Sequence, residues 1–305
     1  MIQKDWESVN SFPLETKPVM GDITIVIPTL GRAILEGCLY WIAAGNVWPG
    51  ELIVVDQGQN PQVNEWMQQI SRLGISTKYL PSKQRGRAAG INYGLDAVTT
   101  RFVAITDDDC FVDAEWLEKI VCSLKKSPDR IITGRVEPAG NEDVAFCVVT
   151  SRDYKIYVKN QLKVHPLIGG NIGISMDNVK RIGSLDEHPS ISSAEDSDWG
   201  YRALRKGITI VYDPDIMIRH YNWRDSDQRG KRYRDYSRSQ GAYYGKYLLS
   251  GDLLIILQTL RDLVRGPLRW VRGLIKGDQD MIYRGRADSL ELIPGIIAGL
   301  RRSKI

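Results

Sequence analysis

Between Ile23 and Lys126 the sequence alternates short β-branched runs with windows of helical periodicity, and few architectures satisfy that order. Ile23-Thr24-Ile25-Val26-Ile27, ended by Pro28, has the pattern of a strand buried on both faces. Leu35, Cys38, Leu39 and Ile42 then recur at i, i+3, i+4 and i+7, one apolar face of a helix. Leu52 to Val55 predicts a second buried strand ending at Asp56, and Lys78 to Leu80 a short third one before Pro81. Gly86 to Val98 reads as a helix, and Arg101 to Thr106 as a strand running straight into Asp107. A further helix is expected from Asp113 to Lys126, with Trp116, Leu117, Ile120 and Leu124 on one side. Such alternation requires right-handed crossovers. The expected class is α/β, a mostly parallel mixed sheet flanked by helices.

Past residue 130 the alternation loosens. Strands are expected at Ile131–Val136, Val144–Thr150 and Ile172–Ser175, a helix at Ser192–Lys206, and two short strands at Ile208–Tyr212 and Ile216–Tyr221. From Trp223 onward there are 17 Lys+Arg and 9 Asp+Glu, whereas the residues before it are mildly acidic. That asymmetry suggests two regions, a domain over 20–222 and a basic helical C-terminal extension over 223–305. In the extension Arg261, Arg265, Arg269, Arg272 and Lys276 alternate with leucines, valines and Trp270, and Pro267 is expected to break the stretch into two helices. Two readings fit: a helix lying in a membrane interface, or an appendage packed on the core with a solvated basic face. No nucleic-acid-binding module is recognisable, so no nucleic acid partner is expected.

The four cysteines form no CxxC pair and sit among apolar neighbours, which predicts buried free thiols. No apolar run approaches the length that crosses a bilayer, and the first residues lack a secretory pattern. A cytoplasmic protein is expected, or one peripheral at the inner face of the membrane.

In doubly covered sheets ligands bind beyond the carboxyl ends of the strands. Asp56 and Asp107 each end a predicted strand, so two acidic residues should meet at that edge. Asp107-Asp108-Asp109 is the sharpest feature. A hard cation such as Mn²⁺ or Mg²⁺ takes carboxylate oxygens together with phosphate oxygens. A solvated acidic turn is the alternative for such a triplet taken alone.

The ordered set of motifs resembles the family 2 glycosyltransferases. Ile25-Val26-Ile27-Pro28-Thr29-Leu30-Gly31-Arg32 comes first, then Ile53-Val54-Val55-Asp56-Gln57-Gly58 and Gly86-Arg87-Ala88-Ala89-Gly90-Ile91-Asn92-Tyr93-Gly94. The aspartate triplet, Trp116-Leu117, Gly169-Gly170-Asn171, Glu195-Asp196 with Arg202, and His220 complete the series. The resemblance covers about residues 20–222. It implies a Rossmann-like, A-type nucleotide-diphospho-sugar transferase fold and an inverting transfer that depends on Mn²⁺ or Mg²⁺. By the same resemblance Pro28, Thr29, Leu30 and Arg32 receive the nucleotide, and Asp56 contacts the base or ribose. Arg85 and Arg87 lie near the diphosphate with Asp107 and Asp108, and Asp107, Asp109 and His220 hold the metal. Asp196 is the general base with Glu195 the next candidate, and Gly170, Asn171 and Trp199 line the acceptor side. Gln57 departs from the Asp that the family more often carries there and cannot supply a charge. Ser192 and Glu195 also fit a helix-capping box, and Trp199 also fits core packing.

The donor implied is a UDP-, GDP- or dTDP-linked sugar, and the acceptor a saccharide or lipid-linked saccharide, as in polysaccharide or cell-envelope synthesis. Two rivals stand beside this reading. One is a non-catalytic, membrane-peripheral nucleotide or sugar binder. The other is a sugar-phosphate nucleotidyltransferase, which wants a glycine- and lysine-rich loop where Pro28 to Arg32 stands.

Overall fold

A computed structural model describes residues 15–139, 148–163, 165–221 and 229–302. They divide into two compact units. The first takes residues up to Lys159, Pro166–Leu185 and Arg202–Trp223; the second takes Asn160–His165, Asp186–Tyr201 and the chain from Arg224.

The first unit is built on a nine-stranded mixed sheet. β1 (Val19–Thr29) lies between β2 (Trp48–Asp56) and β4 (Phe102–Ile105), both parallel to it, and β3 (Thr77–Pro81) extends the parallel part beyond β2. β8 (Ile172–Ser175) runs antiparallel between β4 and β6 (Ile131–Ala139), and β9 (Ile210–Tyr221) is parallel to β6. β5 (Cys110–Val112) and β7 (Lys155–Tyr157) pair antiparallel with β9. The helices α1 (Ile34–Ala43), α2 (Pro61–Arg72), α3 (Arg87–Asp96), α4 (Trp116–Lys126) and α5 (Met176–Ile182) connect and flank these strands. The apolar faces of α1, α2 and α4 and the side chains of β1, β2 and β4 form one buried core.

Two expectations are corrected in this unit, and a third lies mostly outside the described residues. The two strands expected at Ile208–Tyr212 and Ile216–Tyr221 are one strand, β9, whose register slips opposite Gly134 and Arg135. Pro214 sits in that irregularity, where the ladder does not need its missing N–H, and a Cβ at Gly134 would stand 1.9 Å from the Ile216 carbonyl oxygen. Cys122 is exposed, unlike the buried Cys38 and Cys110, because α4 turns its apolar face inward through Trp116, Ile120 and Leu124. The strand expected at Val144–Thr150 lies mostly outside the described residues; Val149 bridges Val136.

In the second unit Pro189–Ile191 forms a 3-10 turn that ends at Ser192, and α6 (Glu195–Arg205) starts later than expected, with its first seven residues in this unit. Glu195 therefore opens the helix and does not stand third in a helix capped by Ser192, which removes the capping-box geometry. α7 (Arg229–Leu248), α8 (Leu253–Lys276) and α9 (Gln279–Arg302) form the rest. α8 is continuous through Pro267, contrary to the expected break. Gly266 and Gly273 bring its backbone within contact of α9 on either side of the proline, so packing outweighs the lost hydrogen bond. No helix among the described residues is long and apolar enough to cross a membrane.

Candidate active site

Parallel pairing brings the carboxyl ends of β1, β2 and β4 to one edge of the sheet, with Thr29 in register with Asp56. Asp56 is fully buried. One of its oxygens accepts the amides of Gly58 and Gln59 at 2.9 and 3.0 Å, and the other accepts the Asn60 amide at 2.8 Å and the Tyr79 hydroxyl at 3.0 Å. The carboxylate is thus the pin around which the loop after β2 is wound. Burial, followed by the hydrogen bond to Asp56, pushes the Tyr79 phenol up to about 12. Gly58 is required by close approach, since a Cβ there would lie 1.9 Å from the Leu30 carbonyl oxygen. Gln57 donates from Nε2 to the carbonyls of Gln84 and Gly86 at 2.6 and 2.9 Å, which fixes the loop carrying Arg85 and Arg87. Arg85 itself is exposed, and so is Leu30.

The aspartate triplet points its three side chains at different partners. Asp108 is only 1% exposed. It accepts the Thr29 hydroxyl at 2.6 Å and Arg32 Nε at 3.1 Å on Oδ2, while Arg32 Nη2 pairs with Oδ1. Burial pushes its carboxyl up to about 6 against the pull of the Arg32 guanidinium. Asp108 therefore ties the loop after β1 to the acidic turn. Asp107 accepts Arg87 Nε at 2.6 Å. Gly169 and Gly170 lie against this pair: added Cβ atoms would stand 3.0 Å from Arg87 Nη2 and from Asp107 Oδ2 respectively. Asp109 has His220 Nε2 at 3.5 Å and Arg32 Nη2 at 3.4 Å. β9 delivers that histidine, for Cys110 pairs with His220 and the Tyr221 amide donates to the Asp109 carbonyl at 2.8 Å.

Asp107, Asp109 and Cys110 offer ligand atoms within 4.8 Å of one another. Burial and the neighbouring carboxylates push the Cys110 thiol well up, so it stays protonated and the anionic donors are carboxylates. With an imidazole alongside, that donor set fits a hard divalent cation better than a thiolate-bound one. Sequence reasoning missed Cys110 here; its position directly after Asp109 was the available signal.

Asn171 is fully buried. Trp116 Nε1 donates to its Oδ1 at 2.9 Å, and its Nδ2 donates to the carbonyls of Ile216 and Arg135 at 3.0 and 3.3 Å. It anchors α4, β6 and β9 from inside, whereas the expectation was an acceptor contact. In the second unit Asp196 is half-buried with the Ser197 amide on Oδ1 at 2.7 Å, Glu195 is buried, and Trp199 is fully buried. Trp199 is packed away from solvent there, as its core reading anticipated.

The family model described as glycosyl transferase family 2 matches residues 24–183, more than half of the 305. The chain belongs to glycosyl transferase family 2. The matched span holds every residue of the acidic turn and its arginine partners. "Glycosyltransferase AglE" of Haloferax volcanii is 23% identical over 65% of this chain and 66% of its own, so the chain spans slightly under two thirds of that relative. Solved structures share the fold. The mannosyltransferase PcManGT from Pyrobaculum calidifontis, in complex with GDP-Man and Mn²⁺, superposes with a TM-score of 0.58 at 15% identity, covering 99% of this chain and 92% of that one. S. aureus TarS 1-349 in complex with UDP-GlcNAc gives a TM-score of 0.55 at 12% identity over 88% and 90% of the two chains.

Proposed function

We propose that the protein transfers a sugar from a nucleoside-diphosphate donor to a saccharide or lipid-linked saccharide, with inversion at the anomeric carbon. The observation that carries this reading is the meeting of Asp107, Asp109 and His220 beyond the carboxyl ends of the parallel strands, with Arg87 on Asp107. Structures of similar fold with GDP-Man and UDP-GlcNAc support a nucleotide-sugar donor; UDP, GDP and dTDP are the candidates. A divalent cation held by Asp107, Asp109 and His220, as the resemblance implies, would supply charge neutralisation to the leaving diphosphate.

The chain's own residues then have distinct tasks. Leu30 is exposed beside Pro28 and Thr29 to face a base, and Asp56 acts through the loop it pins. Arg85 and Arg87 offer guanidinium groups to phosphate oxygens. Asp108 holds Thr29 and Arg32 in place. Asp196 takes the proton of the acceptor hydroxyl as its oxygen attacks the anomeric carbon and the nucleoside diphosphate leaves. Glu195 is the second candidate, but a buried side chain is worse placed to exchange a proton. Gly170, beside Asp107, borders the acceptor side, and Asn171 acts only through the elements it anchors. A lipid-linked acceptor would bring the protein to the inner face of a membrane, and the basic extension over 223–305 is the part suited to it.

Thermal shift with UDP, GDP and dTDP, with and without Mn²⁺, tests the donor half. Stabilisation by one of them only with metal is expected, and its disappearance in Asp107→Asn/Asp109→Asn. Asp196→Asn should keep donor binding and lose transfer. If no nucleoside diphosphate stabilises the protein with metal present, the reading fails; binding without turnover on any acceptor favours the non-catalytic binder.

A further inference from the structure

One face of α8 is apolar and stays largely exposed among the described residues. Leu253, Leu257, Leu260, Val264, Leu268, Val271 and Ile275 recur at steps of three and four, the least exposed of them at 44% and the most exposed at 78%. From first to last they extend about 33 Å along the helix axis. The opposite face, with Ile255, Gln258, Thr259, Gly266 and Gly273, is buried. That face already anchors the helix, so the exposed stripe is not needed to hold it in place. A continuous apolar stripe of this length marks a contact surface. Part of it, from Leu257 to Leu268, also lines a groove of about 750 Å³ together with Leu162 and Met281.

The charges on the helix say what the surface fits. It carries Arg261, Arg265, Arg269, Arg272 and Lys276 against a single acid, Asp262. Asp262 takes Arg261 at 2.8 Å, and Asp288 of α9 takes Arg269 at 2.5 Å. Arg265, Arg272 and Lys276 are exposed and make no direct ion pair among the described residues, Arg265 acting on Asp262 only at longer range. A second copy of α8 would suit the three-and-four spacing, but it would bring these unpaired cations together and place Pro267 along the contact. A sheet of lipid phosphates does the reverse.

We infer that the exposed face of α8 lies in the interface of an anionic bilayer, its apolar stripe among the upper acyl chains and Arg265, Arg272 and Lys276 on headgroup phosphates. A helix with an apolar face, flanking arginines and too little hydropathy to cross is the form that binds in this way. This deepens the reading of a membrane-borne acceptor and rests on it for its purpose, but the docking itself needs no transfer chemistry.

Sedimentation of the full chain with vesicles tests it. Vesicles of phosphatidylcholine with phosphatidylglycerol should bind the protein, and vesicles of phosphatidylcholine alone should bind it far less. Binding should fade as salt rises toward ~1 M, where the screening length is about 3 Å. Arg265→Gln with Arg272→Gln should weaken it roughly thirtyfold, about fivefold per guanidinium lost at an anionic surface. Leu260→Ser with Leu268→Ser should abolish it with every charge kept and thermal stability unchanged, as both positions are exposed. Equal binding to neutral vesicles, binding to neither, or a concentration-dependent dimer dissolved by the serine pair would overturn the inference, the last by assigning the stripe to a second copy. Turnover on a soluble acceptor, run in parallel, separates the two readings. Lost docking with turnover kept removes only the bilayer contact, and docking without turnover removes only the transfer reading.

Discussion

Arg87 Nε donates to Asp107 Oδ1 at 2.6 Å, and the glycine at position 169 is packed against the guanidinium that does so. Arg87 opens α3, where a positive side chain runs against the helix dipole, and its pairing with Asp107 offsets that. Arg87→Ala should raise the donor KM tenfold or more, since a charge-assisted hydrogen bond is worth about 1.5–3 kcal/mol. Arg87→Lys should recover part of this, because it keeps charge but not the planar fork. Steady-state kinetics over a donor series would show it; an unchanged KM in the alanine variant means that Arg87 does not serve the donor.

Gln57 stands where the family more often has a carboxylate, and its amide hydrogens are what the site uses. Both go to carbonyl oxygens, of Gln84 and Gly86. Gln57→Glu keeps the shape, removes the donor and turns a carboxylate on two carbonyls at a position that is 5% exposed. A loss of about 2 kcal/mol in chemical denaturation is expected, together with weaker donor binding through the loosened loop. Glutamate tolerated without change would mean that another group carries the loop.

Much of the first unit was legible because its strands declare themselves by β-branched runs and its helices by apolar spacing. Ile23 to Ile27 and Leu35 to Ile42 stand where the pattern put them. The site was legible only as a set of residues. Nothing in the spacing says that Thr29 would close on Asp108, or that a slipped strand would bring His220 to Asp109, because pairing register joins residues far apart in sequence. The gap expected at residues 213–215, which hold Pro214, and the break expected at Pro267 failed for one reason. A proline reads locally as a break, and only packing of Gly134 in one case and of Gly266 on α9 in the other shows why the element continues. Asp56 is the subtler case. Its position at a strand end suggested a ligand, and the three amides that it binds belong to its own loop.

Acid should loosen the second unit through Asp186. Burial raises its carboxyl, but hydrogen bonds from Arg302 and Lys246 and from the His188 amide outweigh that and hold it well below the usual carboxylate range. A lowered folded-state value means that the stabilisation is complete above the unfolded value of about 4 and is lost as pH falls through the folded one. Melting temperature should therefore decline from about pH 5 downward, and Asp186→Asn should be less stable near neutrality and show a shallower decline. Parallel curves for the two proteins would rule this pair out as the acid-sensitive element.

α7 and α9 cross with their backbones nearly touching, and four glycines make that possible. An added Cβ would lie 2.2 Å from the Leu292 carbonyl oxygen at Gly241, 2.2 Å from that of Ile296 at Gly245, 2.1 Å from that of Arg238 at Gly295 and 2.2 Å from that of Ala242 at Gly299. These are backbone atoms, which no rotamer change can move aside. On each helix the pair is four residues apart, so both glycines fall on one face. Gly295→Ala must then push α9 off α7, and overpacking of this kind costs about 1–3 kcal/mol. Helix propensity works in the opposite direction and favours alanine by less than about 1 kcal/mol, so the net sign is destabilising. Gly21→Ala is the matched control, because a Cβ there meets nothing within 4 Å. Urea denaturation of both variants decides it: destabilisation at 295 with no loss at 21 is expected, and an unchanged midpoint for Gly295→Ala would mean that the helices do not meet as closely as this packing requires.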